Sequence, residues 1–215
     1  MNGKQNKPRK TYLITDLHLY HSAVQKWCKR PDNYIGRTLN NWRATVSPQD
    51  IVIDMGDVIF GKDTKTLLTQ FMDQVPGTKI LVRGNHDKSH SNNWFMDCGY
   101  SFVCEKVYLS GVWITHLPII LREDEIEAGV INVHGHFHNC DVNQWENNLA
   151  ERITPNHYLL SIEKVGYKPV ALDQVIHKKH VTQTITILKD RTVDSETEEE
   201  IVHQLDVPDK EIAKE

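Results

Sequence analysis

Asp16 with His18, Gly56-Asp57, Arg83-Gly84-Asn85-His86-Asp87, His116, and His136 with His138 are the residues of this 215-residue chain whose types suit metal ligation and proton transfer. Together they offer two metal-type carboxylates, four imidazoles and one amide oxygen, with His86 as a further imidazole for moving a proton. Each group stands at the end of an apolar run, where a buried strand delivers its side chains to a site. Alone, an Asp at a strand end is more often a turn residue, so no single match carries weight. The repetition does. Three histidines in Val133-His134-Gly135-His136-Phe137-His138 have no good core explanation, because a polar ring at every second position spoils one face of a strand. Nitrogen ligands mixed with carboxylates suit manganese, iron, zinc or nickel and disfavour calcium. His134 is read as either a partner that fixes a ligand or a polar filler between sheets.

The elements that must position these groups follow from periodicity. Thr11 to Thr15, Ile51 to Met55 and Lys79 to Val82 read as continuously apolar strands, as in a sheet covered on both faces. Between them lie a short helix capped by Ser22, a helix carrying Ile35, Leu39, Trp42 and Val46 on one face, and a helix capped by Asp63 and stopped by Pro76-Gly77. The order so far is β-α-β-α-β. Afterwards come short runs, 101–103, 107–109, 112–115, 130–133 and 158–162, with few helical segments, which points to antiparallel or mixed pairing. Two sheets packed face to face, each backed by helices, accommodate both halves. Val181 to Ile187 alternates as a half-exposed strand, and Ser195-x-x-Glu198 is a capping box before an appended helix.

Length suits one domain, taken as residues 1–189 with its core at about 11–180, followed by an acidic C-terminal extension, 190–215. That extension holds ten acids and three bases, so the net charge of −4 conceals a mildly basic body of nineteen acids and twenty-two bases. Bound cations inside such a body suit an anionic substrate, whereas no Lys/Arg stripe offers a track for long nucleic acid. The first ten residues are polar and basic, and no apolar run spans a bilayer, so neither a signal peptide nor a membrane partner is expected. Cys28, Cys98, Cys104 and Cys140 are scattered with no CxxC pair, which fits a reducing cytoplasm.

The succession Asp-x-His, Gly-Asp, Gly-Asn-His-Asp, a lone His and Gly-His-x-His resembles the calcineurin-like metallophosphoesterase family over residues 12 to 138. His157-Tyr158-Leu159-Leu160-Ser161-Ile162-Glu163 and Val165-Gly166-Tyr167-Lys168-Pro169-Val170 look like the closing segment of its small, single-domain microbial branch, extending the resemblance to about residue 176. The resemblance implies an α/β fold, a four-layer α/β/β/α sandwich of two mixed sheets with two metals at one edge. It implies that Asp16, His18, Asp57 and His138 hold one ion and Asp57, Asn85, His116 and His136 the other. The cofactors are then two divalent or trivalent transition-metal ions, Mn2+ foremost, with Fe, Zn or Ni as alternatives. A water between such cations loses its proton near neutral pH and attacks phosphorus in line with the leaving oxygen. His86 resembles the family histidine that faces the scissile bond, with Asp87 as the group that orients its ring.

His21, Arg30 and Arg83 lie near these loops and are candidate phosphate clamps. The expected activity is hydrolysis of a small, nucleotide-like phosphodiester, by a monomer or homodimer with no long nucleic acid as partner. Phosphomonoesterase, nuclease and non-catalytic metal-dependent scaffold are the alternatives.

Overall fold

Strands in this chain end where apolar runs meet the candidate ligands, and that junction organises the whole architecture. The computed structural model describes residues 8–139, 149 and 152–177. In chain order the elements are β1 (Thr11–Ile14), α1 (Ser22–Trp27), α2 (Tyr34–Thr45), β2 (Ile51–Asp54), α3 (Thr64–Met72), β3 (Thr78–Val82), a 3-10 turn (His86–Ser89), α4 (Asn92–Asp97), β4 (Phe102–Cys104), β5 (Val107–Leu109), β6 (Val112–Thr115), α5 (Glu123–Glu127), β7 (Ile131–His134), β8 (His157–Leu159) and β9 (Val170–Ala171). Backbone packing divides the chain into two units, Met1–Leu172 and Asp173–Glu215. The expected strand at 181–187, the capping box at Ser195, Cys140 and the acidic extension lie outside the described residues.

Two mixed sheets form, as an α/β/β/α sandwich requires. The first has the order β4-β3-β2-β1-β9, parallel except for β9, and the second has the order β5-β6-β7-β8, with only β5 antiparallel. Parallel neighbours β1, β2 and β3 end side by side, and so do β6 and β7. The ladder between β1 and β2 continues past both strands: Asp16 and His18 donate backbone N–H bonds to Gly56 and Asp57, and Leu19 bridges to Ile59.

The core beneath the first sheet gathers Trp42, Leu68, Phe71, Met72, Leu81 and Phe95, all buried. Trp42 is fully enclosed and satisfies its indole N–H on the Pro76 carbonyl, so the helix that carries it is pinned to the turn after α3. Ile35 and Leu39 pack against this cluster and Val46 closes it at the helix C-cap, the face expected from the spacing.

Three local expectations are corrected. His21, not Ser22, is the N-cap of α1, its Nδ1 accepting from Val24 N–H at 3.3 Å. Asp63 stands at the N-cap of α3 in a left-handed conformation with no side-chain cap bond. The strand expected over 158–162 stops at Leu159, because Ser161 and Ile162 turn the chain back through bonds to Val165 and Tyr167. That turn brings Glu163 inward.

Candidate metal centre

Five of the seven candidate ligands, Asp16, His18, Asp57, His136 and His138, have positive φ, between 42° and 74°. For residues other than glycine this conformation is strained by roughly 1–3 kcal/mol each, and it persists only where the surroundings over-determine it. Here the surroundings are the strand ends. A left-handed residue two to four positions past the end of a parallel strand turns the chain sharply, so the side chain is thrown across the sheet edge.

Two glycines make the approach possible. A Cβ on Gly84 would land on the Asp57 carboxylate, and one on Gly135 would land on Thr15 Oγ1 and the Asp16 carboxylate. The second contact is also where the two sheets meet at the site. His136 N–H donates to Asp16 Oδ2 at 3.1 Å, and His116 Nδ1 lies 2.8 Å from the Met55 carbonyl.

The carboxylates are divided between two tasks. Thr15 Oγ1 and His136 N–H both donate to Asp16 Oδ2, leaving Oδ1 buried without a hydrogen-bond partner among the described residues. His18 Nε2 is likewise buried and unpartnered, 3.9 Å from Asp16 Oδ1 and 3.6 Å from Asp57 Oδ2. Asp57 accepts the His86 N–H on Oδ1, while its Oδ2 stands 3.2 Å from His116 Nε2. Asn85 Oδ1 lies 3.0 Å from the same His116 nitrogen. Buried polar atoms left unpaired cost about 1–3 kcal/mol each, so a donor set arranged this way fits cations placed between its members. Among the described residues the candidate ligands form two groups, Asp16-His18-His138 and Asp57-His116-His136, each drawn together within 4.8 Å, and His138 also gathers with Cys28 and Glu163 behind the first.

Electrostatics follow from the crowding. Burial drives His18 down to about 2, and burial with the neighbouring His116 takes His136 down to about 4. His116 and His138 go the other way. Burial pulls both down, but the Asp57 carboxylate lifts His116 to about 9, and the Cys28 sulfur with Glu163 lifts His138 to about 11. Asp57 is depressed: burial alone would raise it, and the His116 ring overrides that, helped by His18. His18 and His136 are thereby neutral, with an electron pair free for a cation, whereas at His116 and His138 a cation would have to displace the proton that the neighbouring carboxylates favour.

Glu163 was not among the sequence candidates, yet it holds the site from behind. Its Oε1 lies 3.1 Å from His138 Nδ1 and accepts from Arg30 at 2.7 Å, and its Oε2 accepts from Ser161 Oγ at 2.8 Å. A partner on Nδ1 leaves Nε2 as the nitrogen free to ligate, the usual device by which a carboxylate sets a histidine's tautomer and ring orientation. His138 Nε2 accordingly points to Asp16 Oδ1, at 3.7 Å.

The clamp expectations change in consequence. Arg30 is buried, donating to the Asp16 and Leu17 carbonyls as well as to Glu163, so its charge braces the β1 loop and has no reach to a phosphate. Arg83 braces the turn that follows Asn85 with one nitrogen, donating to the Asp87 and His90 carbonyls, while its Nε is buried without a partner among the described residues and the side chain lines a second, smaller cavity with Asn85, Lys88 and His116. His21 does line the cavity, with Nδ1 committed to its helix.

Asp87 also departs from expectation. Its carboxylate is buried and accepts from the N–H groups of Gly84, Asp57 and Val58, so it ties two loops together and does not hold the His86 ring. His134 packs edge-on against Phe137 and His157, with burial taking it down to about 3, which makes it a filler of the sheet interior.

Five of the candidate ligands, His18, Asp57, Asn85, His136 and His138, line a cavity of about 390 Å³. His86 stands at its edge with 42% of its side chain exposed and Nε2 4.0 Å from Asp57 Oδ2. Among the described residues no helix is long and apolar enough to cross a membrane.

A family model described as calcineurin-like phosphoesterase matches residues 9–209. An uncharacterized protein of Methanocaldococcus jannaschii is 30% identical over 188 residues, covering 84% of this chain and 98% of that protein. A protein of unknown function from Aquifex aeolicus has a similar structure, with a TM-score of 0.57 at 21% identity over 78% of this chain and 98% of that one. A nuclease of Pseudomonas putida also matches, with a TM-score of 0.45 at 18% identity over 60% and 62% of the two chains.

Proposed function

The chain belongs to the calcineurin-like phosphoesterase family, a family of metal-dependent hydrolases of phosphoesters, and from that premise we propose that it cleaves a small, nucleotide-like phosphodiester at a binuclear metal centre. The observation that carries the reading is the position of Asp57 Oδ2, which stands within 3.6 Å of His18 Nε2 on one side and 3.2 Å of His116 Nε2 on the other. Asp16, His18, Asp57 and His138 would hold one cation and Asp57, Asn85, His116 and His136 the other, so Asp57 serves both. The His and carboxylate mixture suits Mn2+ first, with Fe, Zn or Ni as alternatives. Bound cations supply charge neutralisation at the phosphoryl oxygens and a water acidified to a pKa near 7.

The protein's own residues do the rest. His86 reaches into the cavity beside the ligands and donates a proton to the leaving oxygen. Arg30 and Glu163 keep the His138 ring and the Asp16 loop in place. Of the described residues that line the cavity, none is Lys or Arg. A diester carries one negative charge and needs no further cationic clamp, whereas a dianionic monoester usually has one. The cavity volume falls within the range of about 300–1,000 Å³ typical of small-molecule sites. A cytoplasmic setting agrees with Cys28, Cys98 and Cys104 being free thiols.

The test is kcat/KM for bis-4-nitrophenyl phosphate against 4-nitrophenyl phosphate in saturating manganese. Preference for the diester is expected. Preference for the monoester, with phosphate release from nucleoside monophosphates, overturns the diester assignment, and turnover of neither overturns the hydrolase reading in favour of a scaffold.

A further inference from the structure

One wall of the cavity does not belong to the metal centre. His21, Val24, Trp27 and Cys28 contribute to the lining from α1 and its two caps, at the three- and four-residue spacings that put side chains on one helix face. The remaining lining is five of the seven candidate ligands, His18, Asp57, Asn85, His136 and His138, with His86, so the cavity has a polar wall and an apolar one. Val24 and Cys28 are buried, as core residues should be, but Trp27 leaves 74% of its surface exposed. Phe60, on the loop after β2, is 51% exposed and stacks its ring on His21 from behind that wall, with centroids 4.3 Å apart and planes at 24°.

An indole held in water at the mouth of a site forgoes the largest burial gain any side chain offers. A ligand that covers it recovers that gain. The exposed indole on this wall favours a planar aromatic partner over an aliphatic one, because flat π-faces stack with little loss of conformational freedom and tolerate any base. No Lys or Arg lines the cavity among the described residues, so a second anionic group has nothing to meet there.

We propose that this wall is a stacking subsite, with Trp27 as its platform, for a planar aromatic ring borne by the phosphoester, either a nucleobase or an aryl group. The proposal rests on the phosphodiesterase reading and deepens it by naming what the ester carries. Trp27 is a specificity-determining residue and takes no part in the chemical step.

Four diesters with one leaving group separate the possibilities: the 4-nitrophenyl phosphate esters of thymidine, phenol, octanol and methanol. The thymidine and phenyl esters should exceed the methyl ester in kcat/KM, chiefly through KM. Trp27→Ala should shrink that ratio about five-fold or more, as expected for loss of one stacking contact, and Trp27→Phe should restore most of it. Advantage for thymidine alone identifies the ring as a nucleobase, and equal advantage for phenyl identifies any aryl group. A ratio unchanged by Trp27→Ala, or an octyl ester favoured as much as the ring-bearing esters, overturns the subsite. Direct binding of thymidine monophosphate, followed by fluorescence in wild type and Trp27→Ala, keeps this separate from catalysis. Binding weakened about five-fold in the variant, with no ester turned over, rejects the hydrolase reading and leaves the subsite standing. Equal binding by both proteins rejects the subsite whether or not the esters are cleaved.

Discussion

His138 and Glu163 form a hydrogen-bonded pair, Nδ1 to Oε1 at 3.1 Å, across 25 residues of sequence and on the side of the imidazole away from the ligand cluster. The same carboxylate receives the buried Arg30 guanidinium, whose other donors hold the Asp16 and Leu17 carbonyls. One acid thus sets the geometry of two candidate ligands, His138 directly and Asp16 through Arg30.

Glu163→Gln should therefore weaken one metal site and spare the other. The amide preserves shape but removes the charge that fixes the His138 tautomer and balances Arg30. Loss of such a partner typically lowers metal affinity about 10- to 100-fold. Manganese titration by calorimetry should show the weaker class at one of two sites. Equal weakening of both sites, or none, would sink the assignment of Glu163 to the Asp16-His18-His138 group.

Asp87→Ala should act on stability before it acts on rate. Three backbone N–H groups, of Gly84, Asp57 and Val58, lose their acceptor in a buried place. Each costs about 1–3 kcal/mol, and the sum of about 3 kcal/mol or more corresponds to a fall in Tm of roughly 6–12 °C at this chain length. Bound metal should fall with it, since Asp57 is held from the same carboxylate. A variant with unchanged Tm and metal content but depressed kcat would instead restore the ring-orienting role expected from sequence.

These two residues mark the boundary of what the sequence makes legible. The strands under the site are continuous apolar runs, and the ligands are polar residues placed at their ends, so periodicity locates both. His86, Asn85 and Asp57 fall together for that reason. Glu163 carries no such signal: an acid in a loop past a strand reads as solvated, and its burial depends on the turn at Ser161 and Ile162 that brings it back under His138. Arg30 misleads in the opposite sense, because proximity to the ligand loops in sequence says nothing about whether a guanidinium faces substrate or backbone. Trp27 carries no signal in the sequence beyond its place on a short helix with Val24 and Cys28, and only the fold shows that those two are buried while the indole stays outside the core.

A pH-dependent stability contribution is expected from Asp54. It is fully buried at the end of β2, accepting from the Tyr100 hydroxyl and from Gly56 N–H, and burial pushes it from 3.8 up to about 8. For an acid whose folded pKa is raised, the protonated form is favoured by folding, so the fold is undisturbed below pH 3.8 and loses stability as pH climbs toward 8. Asp54→Asn cannot ionise and escapes that loss. The Tm of the variant minus that of wild type should become more positive from pH 5 to pH 8 and then level off. A difference that stays constant over this window would place the Asp54 pKa near its ordinary value.

His86→Ala should separate proton transfer from metal binding. The ring is half exposed, its Nε2 is 4.0 Å from Asp57 Oδ2, and it lies at the cavity edge beside His18, with centroids 5.4 Å apart. Only its backbone N–H is tied to Asp57, a bond that alanine keeps. Metal content and Tm should accordingly hold. For a diester with an alkoxide leaving group, which needs a proton as the bond to phosphorus breaks, kcat should fall about 10²- to 10⁴-fold. A 4-nitrophenolate departs without help, so on that ester the loss should shrink to within about ten-fold, the difference between the two substrates being the acid's share. The comparison also guards against a purely steric explanation, because a ring that merely positioned the phosphate would be missed equally on both esters. Equal losses on the two substrates at unchanged metal content would assign His86 to phosphate binding and leave the leaving-group proton to another donor.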